Sequence, residues 1–70
     1  MIRIGVIGVG GMGGAHCNTL PQVKNCEFVG VADLRLEAAE QVASKHNIQA
    51  FQIYHQLLEI VDGVIVATPP

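Results

Sequence analysis

The stretch GVIGVGGMGG, residues 5–14, sets six glycines in ten positions directly behind a run of β-formers. Glycine loses more conformational freedom on folding than any other residue. Such a cluster means either a backbone that must come very close to something or a loose loop, and its surroundings decide between the two. Before it, Ile2–Ile7 is apolar at nearly every position, the pattern of a strand buried on both faces of a parallel sheet. After it, Ala15–Leu20 reads as a helix that Pro21 ends.

Further along, Phe28–Ala32 (FVGVA) reads as a second two-sided strand, closed by Asp33. Arg35–His46 is the clearest helix, with Leu36, Ala39 and Ala43 on one face at three- and four-residue spacing. Lys45 and His46 suit the negative end of its dipole. Asn47 can take a left-handed cap, with Ile48 as the apolar residue behind it. A weak strand follows over Ala50–Ile53. A short helix over His55–Val61 groups Leu57, Leu58 and Val61. Asp62-Gly63 makes a turn, and Val64–Ala67 (VIVA) is a fourth apolar strand before Thr68-Pro69-Pro70. Strands alternating with helices imply an α/β fold: a parallel sheet joined by right-handed crossover helices.

Within that order the glycines acquire tasks. Gly8-Val9-Gly10-Gly11-Met12-Gly13 fits G-x-G-x-x-G between a strand and a helix, and Asp33 stands 20 residues after Gly13 at the end of the second strand. This is the context of a dinucleotide-binding turn. Gly8 allows the tight turn, Gly10 lets the backbone approach a pyrophosphate, and Gly13 lets the helix lie close on the sheet. The amides near Gly11 and Met12 would face the phosphates from a helix N-terminus. Asp33 is placed to accept hydrogen bonds from the adenosine ribose hydroxyls and to repel a 2′-phosphate, which favours NAD; it could instead serve as a helix N-cap. Arg35 could reach a 2′-phosphate and admit NADP, or be an exposed residue of the first helical turn.

Composition narrows the classes. The chain has 70 residues, of which 50% are hydrophobic and only 14% charged, against a usual charged share of about 25%. So apolar a sequence fits a piece of something larger. The net charge of −2 and the lack of any Lys/Arg run give no footprint for nucleic acid. No apolar run approaches the roughly 20 residues of a membrane span. Met1 leads straight into strand-like residues, so no secretory leader is expected. Cys17 and Cys26 lack CxxC spacing and read as reduced thiols of a cytoplasmic protein. His16 could act as a base but reads as a helix flank facing solvent or the adenosine side. His46 and His55 read as helix-end residues and Tyr54 as packing. No His, Cys, Asp or Glu pair has metal-ligand spacing.

Three segments, MIRIGVIGVGGMGGAHCNTL, EFVGVADLRLEAAEQVASKHN and VDGVIVATPP, resemble the N-terminal part of the glucose–fructose oxidoreductase/inositol dehydrogenase/MocA-like (Gfo/Idh/MocA) family. The matches are the glycine turn followed by His16, the strand ending in Ala32-Asp33, and the strand ending in Ala67-Thr68-Pro69. The resemblance implies a partial Rossmann fold with sheet order 3-2-1-4, and an NAD(P)-dependent oxidoreductase acting on a sugar, cyclitol or related polyol. It implies that Gly8–Gly13 hold the pyrophosphate and Asp33 the ribose. Ala67, Thr68 and Pro69 would line the cofactor near the nicotinamide half, in a full-length protein that is a homo-oligomer. A Glu-Lys-Pro motif, whose lysine aids catalysis, and a substrate domain normally follow in that family. Residues 1–70 are therefore expected to be the N-terminal portion of a dinucleotide-binding domain, without catalytic residues of their own. Two readings from other classes compete: a non-catalytic NAD(H)-sensing regulatory module on the same half-fold, and an S-adenosylmethionine-dependent methyltransferase. The complete third glycine and the VATPP ending argue against the latter.

Overall fold

In the computed structural model the backbone is described for residues 1–10 and 12–67, and the side chains of all of these except 12–15. The first strand, β1 (Ile2–Ile7), follows the apolar run and ends where Gly8 takes a positive φ of 87°. Helix α1 spans Met12–Thr19, beginning earlier than the expected Ala15. Gly13 and Gly14 are poor helix formers, yet here they lie inside the helix. Pro21 does not simply end it. A 3-10 turn over Leu20–Gln22 continues the chain with the proline at its start, where a missing N–H costs nothing, and Leu20 is buried there.

Strand β2 (Cys26–Ala32) starts two residues before the expected Phe28. Helix α2 (Leu36–His46) ends as its sequence implies: Asn47 is left-handed at φ 55°, ψ 48°. The N–H groups of Asn47 and Ile48 both donate to the Ala43 carbonyl, the latter at 3.0 Å, which satisfies a carbonyl that the helix end would orphan. Strand β3 is only Gln49–Phe51. Helix α3 is Tyr54–Leu58, shorter than the expected His55–Val61. A helix this short turns one apolar side chain inward. Leu57 is fully buried, whereas Leu58 and Tyr54 are exposed, so the expected grouping of Leu57, Leu58 and Val61 and the packing role of Tyr54 do not form. Strand β4 is Gly63–Val66.

All strand pairs are parallel and the order is β3-β2-β1-β4. Between Ile4↔Phe28 and Gly5↔Gly30 the register shifts, leaving Val29 as an extra residue on β2. The alternation of strand residues gives the sheet two unlike faces. On one, Ile4, Val6, Phe28, Val31, Ala50 and Ile65 pack with Cys17 and Leu20 and with Ala39 and Ala43 of α2. On the other, Gly5 and Gly30 lie side by side and Leu57 rests on both. A Cβ at Gly5 would come within 2.8 Å of Leu57 Cδ1, and one at Gly30 within 2.7 Å. At the amino ends of β1 and β4, the Arg3 N–H donates to Asp62 Oδ2 at 2.8 Å and the Asp62 N–H to the Arg3 carbonyl at 2.7 Å. The Arg3–Asp62 ion pair, 3.8 Å apart and half exposed, adds little to these backbone bonds.

Candidate cofactor-binding site

Parallel pairing carries the ends of β1, β2 and β4 to one edge of the sheet, and three backbone bonds define that edge. The Gly8 N–H donates to the Ala32 carbonyl (2.8 Å), the Asp33 N–H to the Phe51 carbonyl (3.0 Å), and the Ala67 N–H to the Ile7 carbonyl (2.8 Å). Gly8, Asp33 and Ala67, far apart in sequence, thus emerge beside one another. After β1, β2 and β3 lie to one side of the first strand and β4 to the other. The crevice at such a reversal is where open α/β sheets bind ligands.

Asp33 sits at the centre of this edge with its side chain only 13% exposed. Its Oδ2 accepts the Val9 N–H at 3.1 Å, and its Oδ1 accepts the Arg35 N–H at 2.9 Å. It does not cap α2 as an N-cap residue. That position belongs to Arg35, whose side chain makes no capping bond. Burial pushes the Asp33 carboxyl up, but the Arg35 and Val9 N–H groups and the Arg35 charge together outweigh it and hold the group below its ordinary value. It is ionised at neutral pH.

Arg35 folds back over this carboxylate. Its Nε lies 3.8 Å from Asp33 Oδ1 with the side chain 75% exposed. Its Nη2 stands 3.4 Å from where a Cβ at Gly10 would be, the sole atom of the described residues within 4 Å of that point apart from Gly10's chain neighbours. Gly10 itself is exposed. Among the described residues, the ground above Gly10 therefore holds one exposed cation and otherwise open space, which suits an anionic ligand approaching the backbone.

Met12 and Gly13 lie in the first turn of α1. Gly11, Thr68 and Pro69 lie outside the described residues. Sequence reasoning missed two neighbours. Leu34, beside Asp33, is 84% exposed. Gln52 donates from Nε2 to the Leu34 carbonyl at 3.0 Å and so pins the turn that carries Arg35. An apolar residue between Asp33 and Arg35 was a visible signal for the first; for Gln52, 18 residues away, there was none. His16 is half-buried on α1. His46 packs against the Phe28 ring at 5.5 Å, and His55 meets Tyr54 edge-on at 4.5 Å. Cys17 and Cys26 are both free, and burial pushes the Cys17 thiol up to about 11, which makes it a packing group and not a nucleophile. Among the described residues no group of three or more His, Cys, Asp and Glu could hold a metal ion, and no helix is long and apolar enough to cross a membrane.

Comparison with known proteins agrees with this fold. The Gfo/Idh/MocA family model, an oxidoreductase family with an NAD-binding Rossmann fold, matches residues 2–70. The chain is 38% identical over 69 residues to the glucose-6-phosphate 3-dehydrogenase of Bacillus subtilis (strain 168), covering 99% of this chain and 20% of that protein. It is 37% identical over 71 residues to the inositol 2-dehydrogenase of Rubrobacter xylanophilus, covering 97% and 20%. Among solved structures, GenD2 from gentamicin A biosynthesis, in complex with NAD, superposes with a TM-score of 0.90 at 26% identity, over 97% of this chain and 20% of that one. The chain spans about a fifth of the length of the curated relatives it matches.

Proposed function

Because the chain belongs to the Gfo/Idh/MocA oxidoreductase family with its NAD-binding Rossmann fold, we propose that it is the adenosine-side portion of a dehydrogenase acting on a sugar or cyclitol. The relatives' substrates, glucose 6-phosphate and inositol, support that substrate class. The nicotinamide cofactor supplies the hydride acceptor for an alcohol carbon; the residues described here bind and orient it. Gly8 turns the chain, and the open backbone at Gly10 receives the pyrophosphate, with Met12 and Gly13 in the first turn of α1, and Gly11 by its place in the motif, completing the cradle. Ala67, just past β4, and the Thr68 and Pro69 that follow it in sequence would flank the nicotinamide half. Residues 1–70 carry no catalytic group in this reading.

One observation carries the cofactor assignment: an ionised, largely buried carboxylate, Asp33, at the carboxyl end of β2 beside the glycine turn. Ionised oxygens accept from the two ribose hydroxyls and repel a 2′-phosphate, so NAD is preferred over NADP. Arg35 is the opposing group, loosely paired with Asp33 and exposed, and so available to a 2′-phosphate. Equilibrium titration of both cofactors into the full-length protein tests the assignment. NAD is expected to bind at least tenfold more tightly. NADP binding the tighter of the two would hand the site to Arg35 and overturn the reading.

A further inference from the structure

We propose that Asp33 is also the positioning residue of the glycine turn: by accepting the Val9 N–H it fastens the turn to β2 in the geometry that receives the pyrophosphate, independently of any ribose hydroxyl. This rests on the NAD-binding reading above and adds a second role to the same side chain.

The turn from Gly8 to Gly10 contains two glycines and little side-chain mass to hold it. Left alone, such a segment has many accessible conformations. Three attachments restrain it. The Gly8 N–H reaches the Ala32 carbonyl at 2.8 Å, the Val9 side chain is buried at 6% exposure, and the Val9 N–H reaches Asp33 Oδ2 at 3.1 Å. The last is the one supplied by a side chain rather than by the β1–β2 ladder or the core. It spans 24 residues of sequence and joins the two motif elements, glycine turn and acidic residue, before any ligand arrives. Asp33 is itself held for the task, since Oδ1 accepts the Arg35 N–H and its own N–H is tied to Phe51.

The two roles do not compete. A carboxylate offers about four lone-pair sites, of which two are used by N–H groups here. One site on each oxygen remains for a diol. A turn already fixed loses less entropy when a ligand docks on it, which is the general advantage of preorganisation. It follows that a neutral residue at 33 loosens the turn for NAD and NADP alike, a loss that adds to the change in preference caused by removing the ribose contact and the repulsion of a 2′-phosphate.

The test uses a ligand without the diol. ADP and 2′,3′-dideoxy-ADP are titrated calorimetrically into the full-length protein and its Asp33→Ala and Asp33→Asn variants, and amide hydrogen exchange is followed at Val9, Val6 and Val31. We expect Asp33→Ala to bind dideoxy-ADP at least tenfold more weakly than the wild type does, with Val9 exchange at least tenfold faster and exchange at Val6 and Val31 unchanged. If Asp33→Ala does not fold, Asp33→Asn decides. Its single carbonyl oxygen cannot accept from both the Val9 and the Arg35 N–H, so exchange is followed at both, and accelerated Val9 exchange without a fall in dideoxy-ADP affinity overturns the proposal. Dideoxy-ADP affinity equal to wild type while ADP affinity falls, with Val9 exchange unmoved, would show that Asp33 acts only through the ribose and would overturn the proposal. A wild type that binds neither nucleotide would refute the cofactor reading instead; the exchange rates would still judge the positioning role.

Discussion

Gly5 and Gly30 lie next to each other in β1 and β2, with Leu57 seated on both. Gly8 and Gly10 follow just past the end of β1, with only the Arg35 guanidinium near Gly10 among the described residues. The first pair is a floor under a leucine; the second is a turn with open space above it. In both places a side chain is missing, and what fills the gap tells the uses apart. At the floor it is the protein itself, through a helix too short to offer more than one anchor. At the turn no part of the described chain fills it except an exposed cation. A glycine cluster in sequence therefore mixes packing with binding, and the two respond to different experiments.

The largest effect should come at the turn, on binding and not on stability. Gly10 has no positive φ, and among the described residues a Cβ there meets only Arg35 Nη2 at 3.4 Å, an exposed group able to swing away. Gly10→Val should fold with a stability change within about 0.5 kcal/mol, the usual range for an unobstructed surface site. The branched side chain would fill the pyrophosphate's place, and NAD affinity should fall by at least about 100-fold, or two powers of ten at 1.4 kcal/mol each. Calorimetric titration beside urea unfolding reads both quantities. Retained NAD affinity would make the turn a packing element like the floor and dissolve the comparison.

At the floor the order reverses. Leu57→Ala removes the one fully buried side chain of α3 and should cost about 3 kcal/mol, inside the range for buried leucines. Gly30→Ala should cost about 2 kcal/mol as an overpacking change, because its Cβ meets Leu57 Cδ1 at 2.7 Å and the Gln49 carbonyl oxygen at 3.3 Å. At Gly5 the three atoms nearest to an added Cβ all belong to Leu57. Combining each glycine change with Leu57→Ala sharpens the picture, since contacting residues are non-additive. Gly5→Ala should lose most of its cost in the Leu57→Ala background. Gly30→Ala should retain part of it, because the Gln49 backbone does not leave with the leucine. Strict additivity in urea melts of both double variants would mean that Leu57 does not sit on the glycines.

Much of this was legible before the structure. Three apolar runs mark β1, β2 and β4, a weaker stretch marks β3 one to two residues out of place, and the alternation with helices implies a parallel sheet, whose two-sided strands carry no polar face. Asp33 could be singled out because a strand end and a motif spacing mark it. What could not be read were facts that depend on register. The Val9–Asp33 bond exists only because β1 and β2 end level with one another. Gly5 falls in the glycine-rich stretch and in the first strand, but nothing in sequence marks its packing role, since its partner Gly30 and its tenant Leu57 are remote. Helix limits also escaped. Gly13 and Gly14 argue against the helix that contains them, and the apolar Leu58 and Val61 suggested a longer α3 than the one that forms.

Gly8 shares something with both pairs and should show the smallest effect. It belongs to the turn, yet its requirement is backbone conformation: φ is 87°, where a Cβ crowds the following carbonyl. It cannot relax by moving aside, because its N–H is committed to the Ala32 carbonyl at 2.8 Å. Gly8→Ala should therefore cost about 1 kcal/mol of stability, less than either floor substitution. Gly8→Asn should cost less again, since asparagine enters the left-handed region more readily than alanine does. That ranking separates conformation from contact: steric contact would make asparagine, the larger side chain, the worse of the two. Urea unfolding of both variants decides it, and an asparagine variant less stable than the alanine one would place Gly8 with the packing floor.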